Sequence, residues 1–259
     1  MWTRTRPVGL HRRPAVLTAT VAATVAAGLL LTGCSGNGGD PSAASPTDST
    51  SSSAAESSPA DLASGLLPAA AFGADASVRA VSPEQLKQGA GVAATAGEDL
   101  QITPAECVAA VKETQPSLDA FDDVAAEMAT VGTTATVEML VRGGPIKNAV
   151  AQLAEAATRC PQAEVTSPQI GRATITFQQL PVPDLGDGAA ALQYTTTATG
   201  PDGSQITIPS LIGGVQDGDR LVMLITLQAQ PGAPGAALDS AAFTALLQQA
   251  HETQADALG

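Results

Sequence analysis

Few residues in this chain could do chemistry, and their spacing narrows the choice further. There are two histidines, His11 and His251, and three cysteines, Cys34, Cys107 and Cys160. His11 lies in a basic leader, which leaves His251 as the one imidazole for general-base work. A Ser-His-Asp triad would rest on it alone, and no serine stands in a Gly-x-Ser-x-Gly setting. Beside Ala250 it reads as a solvated histidine on the flank of a late helix. Asp122-Asp123 is a carboxylate pair, but adjacent strand residues point to opposite faces, so the two would not converge on a metal. Asp217-Gly218-Asp219 has the start of a calcium loop without its further oxygen ligands, and reads as a hairpin turn. A single histidine after the leader and no Cys-x-x-Cys spacing leave no zinc site. No glycine-rich stretch has phosphate-loop spacing. The expectation is a protein that is not an enzyme, with no catalytic residue, metal or cofactor.

Cys34 belongs to another kind of chemistry. Arg4, Arg6, Arg12 and Arg13 open the chain with no acidic residue among them, and an apolar stretch runs from Ala15 to Leu31. This is the layout of a secretion signal. It ends in Leu31-Thr32-Gly33-Cys34, which resembles the lipobox of bacterial lipoproteins. The resemblance implies cleavage before Cys34, with diacylglycerol on its sulfur. Two acyl chains, at about 0.8 kcal/mol per buried CH2, give stable anchoring. The alternatives are an ordinary signal peptide with an incidental cysteine, and an uncleaved signal anchor. Arg12-Arg13 is followed by Pro14 and lacks the flanking residues of a twin-arginine signal.

Removing the leader sharpens the charge. Four of the 12 basic residues lie in it, leaving eight against 25 acidic residues, a net of −17. Such a domain repels nucleic acid and anionic headgroups, so nucleic-acid binding is excluded. Cys107 and Cys160 remain as an even pair in an exported chain, where disulfides persist. Two free buried thiols are the alternative.

Residues 35–60 contain no large apolar side chain and are rich in Ser, Gly, Pro and Ala. They cannot bury enough surface to offset the entropy of ordering, so 34–61 reads as a lipidated cysteine and a disordered tether. Its expected reach is roughly 28 Å. Residues 62–259 have the size of one domain with a proper core.

Within that domain, Thr103-Pro104-Ala105-Glu106 has the arrangement of a capping box. It predicts a helix with Cys107, Ala110, Val111 and Thr114 on one face, ending near Pro116. A second helix begins around Pro145, with Ile146, Ala149, Val150, Leu153, Ala157 and Cys160 inward, and Pro161 stops it. Both cysteines fall on inward stripes, the geometry a core disulfide between two elements would use. A third helix from about Ser240 turns Phe243, Leu246, Leu247 and Ala250 inward.

Strands lie between. Residues 134–142 alternate Val137, Met139 and Val141 against Thr136, Glu138 and Arg142. The preceding 121–131 fits a helix through Phe121, Val124, Ala125 and Met128, but reads as a strand paired across Gly132-Thr133. Further strands are expected at 172–180, 190–199, 204–211 and 219–229, with turns at Pro201-Asp202-Gly203 and Asp217-Gly218-Asp219. Leu221 to Leu227 is nearly unbroken apolar sequence and predicts a central strand covered on both faces. The fold class is α+β, a mostly antiparallel multistranded sheet with helices packed on it. Opposite the core, Thr174, Thr176, Gln178, Gln193, Thr195, Thr197, Gln205 and Thr207 could bind a polar ligand, and equally suit a solvated sheet face. Sugar sites usually add aromatic platforms; after the leader there is no tryptophan and one tyrosine, Tyr194.

The order of lipobox, tether, "LLPAAAFG", "TPAECVAAV", strand pair, "ATRCP" helix, strands and final helix resembles one family. It is that of actinobacterial lipoproteins sharing the extracellular sensor domain of PknH-type transmembrane kinases. The resemblance spans about residues 62–256 and implies a Cys107–Cys160 disulfide and a ligand cleft formed by helices on a sheet. It carries over no binding residue. The second disulfide of the kinase domain has no counterpart here, and Thr158 or Arg159 stands where relatives have a tryptophan.

The sequence therefore points to a lipid-anchored protein on the outer face of the cell membrane, with a sensor-like domain for a small ligand or an envelope protein. A lipid or glycolipid carrier is the alternative, and an envelope hydrolase a third reading. Cys34→Ala is expected to move the protein from the membrane fraction to the soluble fraction after cell lysis; retention of the variant in membranes overturns the lipoprotein reading.

Overall fold

The computed structural model describes residues 61–112, 118–168, 171–200, 203–228 and 237–259. The leader, Cys34, the tether to residue 60, Thr114, Pro116, Pro201 and Asp202 lie outside the described residues. Nine strands run in chain order: β1 Ser77–Ala80, β2 Gln101–Thr103, β3 Asp123–Val131, β4 Thr134–Arg142, β5 Gln162–Ser167, β6 Gly171–Leu180, β7 Gly188–Thr199, β8 Gln205–Asp217 and β9 Arg220–Gln228. Four α-helices accompany them: α1 Pro83–Glu98, α2 Val108–Lys112, α3 Ala149–Arg159 and α4 Ser240–Leu258. All the described residues fall in one compact unit.

Residues 123–131 show why local pattern had to yield to pairing. Gly132, at φ 56°, reverses the chain, and β3 and β4 then pair residue for residue from Val131↔Thr134 to Asp123↔Arg142. The same logic closes β8 on β9 at Asp217-Gly218-Asp219. The strands form one antiparallel sheet in the order β1-β3-β4-β9-β8-β7-β6-β5-β2. The long strands sit inside it, and short β1 and β2 form its edges. Short edges expose few unpaired backbone groups. Helix α1 joins these two edges; its 16 residues span about 24 Å. Ser82 and Gln85 form its capping box, with Gln85 N–H donating to Ser82 Oγ and Ser82 N–H to Gln85 Oε1.

Alternation divides the apolar side chains between two faces. On the front face Leu140, Leu180, Ala191, Leu211, Val215, Val222 and Leu224 pack with Phe243, Leu247 and Ala250 of α4. Leu62 and Leu67, from a leading strap with 3₁₀ turns at Leu62–Gly65 and Ala69–Phe72, complete that core. On the back face Val141, Ala190 and Leu221 meet Ile146 and Val150, while Leu192 and Ala163 meet α2 and α3. Strand β9 is thus covered on both sides, as its apolar run requires: Leu221, Val222 and Leu224 are all buried. The two-sidedness corrects the reading of β4. Glu138, read as pointing away from the core, is 0% exposed on a face that is itself a core.

Two local expectations also change. Thr103 caps nothing: it pairs with Glu164 in the sheet, and Pro104, which has no side-chain hydrogen bond, precedes a 3₁₀ turn at Ala105–Cys107 leading into α2. Short β1, β2 and β5 and helix α1 are elements the periodic pattern did not mark. The expected disulfide is present: Cys107 bonds to Cys160, Cα–Cα 5.1 Å, tying the 3₁₀ turn that leads into α2 to the C-terminal end of α3.

Helix α4 seats on the sheet where it meets a glycine. Any Cβ at Gly213 would stand 2.8 Å from Leu247 Cδ2 and 3.1 Å from Phe243 Cε1. Gly213→Ala is therefore expected to lower unfolding free energy by about 1–3 kcal/mol through overpacking. Denaturant midpoints would show it; an unchanged midpoint means that α4 rides freely over β8.

Candidate functional site

The front face is polar where α4 and the strap stop filling it. Thr136 of β4 and Thr226 of β9 sit directly opposite each other with hydroxyl oxygens 2.9 Å apart. One rung further, Thr134 faces Gln228. Thr136, Thr226 and Gln228 are each at most 9% exposed. Above this floor stand Phe72 from the strap, Leu238 just ahead of α4, and Phe243 and Leu246 from its first two turns, around a cavity of about 540 Å³. Asp239, at the rim, accepts from the N–H groups of Ala241 and Ala242 and so caps α4. The helix N-terminus is thereby satisfied from within.

The next rung of the same face holds two carboxyls. Glu127 of β3 lies directly opposite Glu138. Glu138 Oε2 accepts from Leu67 N–H of the strap at 3.1 Å. The two carboxyls hydrogen-bond to each other, leaving the Oε1 atom of each without a partner. Burial pushes the Glu138 carboxyl up to about 8, against the pull of the Leu67 N–H. Burial also raises Glu127, to which the bond from Glu138 acts in the opposite sense. Glu138 therefore holds its proton at neutral pH: burial penalises its charged form most, and the neighbouring Glu127 adds to that in the same sense.

A second, smaller hollow lies on the back face. Helices α2 and α3 and the sheet enclose about 260 Å³ lined mainly by Ala110, Val150, Leu153, Ile212, Leu221 and Met223, with Gln152 and Arg159 also on its wall.

The residues singled out from sequence do not meet at either hollow. His251 is 17% exposed in its side chain, not solvated, and its Nε2 stands 4.0 Å from Asp217 Oδ2. That oxygen also accepts from Arg220 Nη2 at 3.2 Å and from Gln254 Nε2 at 2.9 Å. Asp217, on the β8–β9 hairpin, is an anchor for the last turns of α4. Asp122 and Asp123 are exposed; Asp122 N–H donates to Arg142 O, and Asp123 Oδ1 accepts from Val124 N–H. Among the described residues, no group of three or more His, Cys, Asp or Glu side chains could hold a metal. Thr174, Thr176, Gln178, Gln193, Thr195, Thr197, Gln205 and Thr207 share the front face, half-buried or exposed, beyond the reach of α4. Sequence reading missed Thr226, Gln228 and Glu138. The usable signal was a glutamate and two threonines placed inside otherwise apolar strands.

Comparison with known proteins places the fold only loosely. No family model and no curated protein matches the chain. Among solved structures it is similar to an uncharacterized protein of Mycobacterium smegmatis, the Rv0999 ortholog. That likeness has a TM-score of 0.48 at 15% identity, over 75% of this chain and 97% of the other. It is also similar to the extracellular domain of PknH from Mycobacterium tuberculosis, with a TM-score of 0.41 at 11% identity, over 75% and 93%. These are distant structural similarities, and no residue or role passes from either protein to this chain. Among the described residues no helix is long and apolar enough to cross a membrane.

The Asp217 anchor can be tested directly. Asp217→Ala leaves Gln254, 1% exposed, and Arg220 without their acceptor. A loss of about 1–3 kcal/mol in unfolding free energy is expected, with early exchange of amides in the last two turns of α4. Wild-type protection there would show that the helix is held by its apolar face alone.

Proposed function

We propose that this chain is a non-catalytic, lipid-anchored binding module of the cell envelope that holds a small, largely apolar molecule in the front-face cavity. The observation that carries the reading is the cavity's composition. A volume of about 540 Å³ lies inside the range of about 300–1,000 Å³ usual for ligand pockets. Aromatic and aliphatic walls would supply affinity through burial, at about 25 cal/mol per Å² of apolar surface removed from water. Thr136, Thr226 and Gln228 are few, buried and convergent, which suits them to orient one or two polar atoms of a ligand. The location in the envelope rests on the leader and on Cys34. The sensor-like character rests on the order of sequence features described above.

The carrier reading has one observation in its favour, the apolar back-face hollow. At about 260 Å³ it falls below the usual range and offers room for a short chain at most. A hydrolase finds less support: His251, Asp217, Asp122 and Asp123 line neither hollow.

Native mass spectrometry of the full chain, extracted from membranes in mild detergent, tests the cavity. A reproducible extra mass that organic solvent strips is expected. It should be absent from Leu246→Trp, which fills the cavity from a half-buried wall position. The bare lipoprotein mass in both proteins sinks the small-ligand reading; equal adduct in both moves the ligand elsewhere on the molecule.

A further inference from the structure

We propose that Glu127 and Glu138 form a proton-controlled latch on the leading strap, so that the wall which Ala71 and Phe72 give the cavity closes when the pair holds its proton and loosens when it is lost. The inference rests on reading that cavity as the binding site, and it adds the site's control.

The geometry carries it. Glu138 is 0% exposed on β4, near the middle of the sheet, and its Oε2 is the acceptor that Leu67 N–H finds on the sheet. Two residues further on, the strap begins its second 3₁₀ turn, and Ala71 and Phe72 there line the cavity. What pins Leu67 therefore sets the wall. Among the described residues no counter-charge stands beside the pair: on this face Asp123, Arg142 and Arg220 lie two rungs away in the register. Strand β3 contributes Glu127, and β9 contributes Leu224 opposite Glu138. The strap from 61 to 72 has Asp61 as its only titratable residue, and it caps the first 3₁₀ turn. Helix α4, packed on that turn, carries His251, Glu252 and Asp256; His251 faces Asp217 and Glu252 accepts from Gln248. Among the described residues the charge beside Glu138 is that of Glu127, and it is of like sign.

The direction follows from linkage. A solvated glutamate titrates at its ordinary 4.5, whereas Glu138 with the strap closed over it titrates at about 8. Between those values the closed state holds a proton that the open state has released. Each pH unit therefore weakens closure by about tenfold, and above the higher value the loss levels off. Closure is strongest in mild acid and weakest in alkali.

Hydrogen–deuterium exchange on the full chain, at pH 5 to 9 and corrected for intrinsic rates, reads this without any ligand. Protection of the amides in 62–72, Leu67 foremost, is expected to fall by up to tenfold per pH unit and flatten above about pH 8. Amides of β6 and β7 should hold theirs. Glu138→Gln should remove the dependence. Should that variant not fold, Glu127→Gln, which keeps the acceptor for Leu67 and removes the like charge, should make the decline level off at a lower pH. Flat protection of 62–72 in the wild type overturns the latch. So does a parallel fall across β6 and β7, which would place the effect on global stability, or an unchanged pH profile in a folded variant. A failed latch beside a positive adduct measurement leaves the cavity reading standing; a working latch beside a bare mass leaves a conformational switch without that ligand.

Discussion

A sheet with two apolar faces must be covered twice, and everything else in this molecule follows from that. Strands β4 and β9 cannot leave either side in water, because Leu140 and Val141, or Leu221 and Val222, are neighbours in sequence and both buried. Neither cover is large. The front one is α4 with the leading strap, and the back one is α3 with short α2. Each is fastened at a few points as well as by burial. Gly213 lets α4 descend until Leu247 meets the backbone of β8, and Gly65 does the same for Leu140 and Leu258. Asp217 holds Gln254, and the Cys107–Cys160 bridge ties the two back-face helices.

Incomplete covering accounts for the hollows. The covers are short against a sheet of nine strands, so the polar ends of the long strands extend past them. Where the front cover thins, Thr136, Thr226 and Gln228 remain buried under aromatic walls. A sheet built only for stability would place aliphatic residues there, since buried polar groups add little net stability and cost more when left unpaired. Glu138 is the extreme case. A carboxyl in the core stabilises less than a leucine of similar volume would.

Much of the architecture was legible in the residues. Period-two alternation marked β4, and Phe243, Leu246, Leu247 and Ala250 marked α4 at helical spacing. The Asp217-Gly218-Asp219 turn marked the β8–β9 hairpin. A capping pattern misled at Thr103, where strand pairing claimed the residue, while the same pattern at Ser82-Pro83-Glu84-Gln85 does form and opens α1. Residues 123–131 fit both periods, and only β1 on one side and β4 on the other settle them as a strand.

By itself the sequence determined the class of fold, the pairing of neighbouring strands and the inward stripes of α3 and α4, because these depend on periodicity and turn chemistry over a few residues. It also bounded the charge and the scarcity of catalytic groups. Tertiary structure alone decided that β4 has no solvent face, that Glu138 meets Glu127 and Leu67, and that His251 turns onto Asp217. It alone placed Thr136 beside Thr226, 90 residues apart, on the floor of a cavity. Alternation tells which residues share a face of a strand. What covers that face is set by elements far away in the chain, and burial follows from the cover.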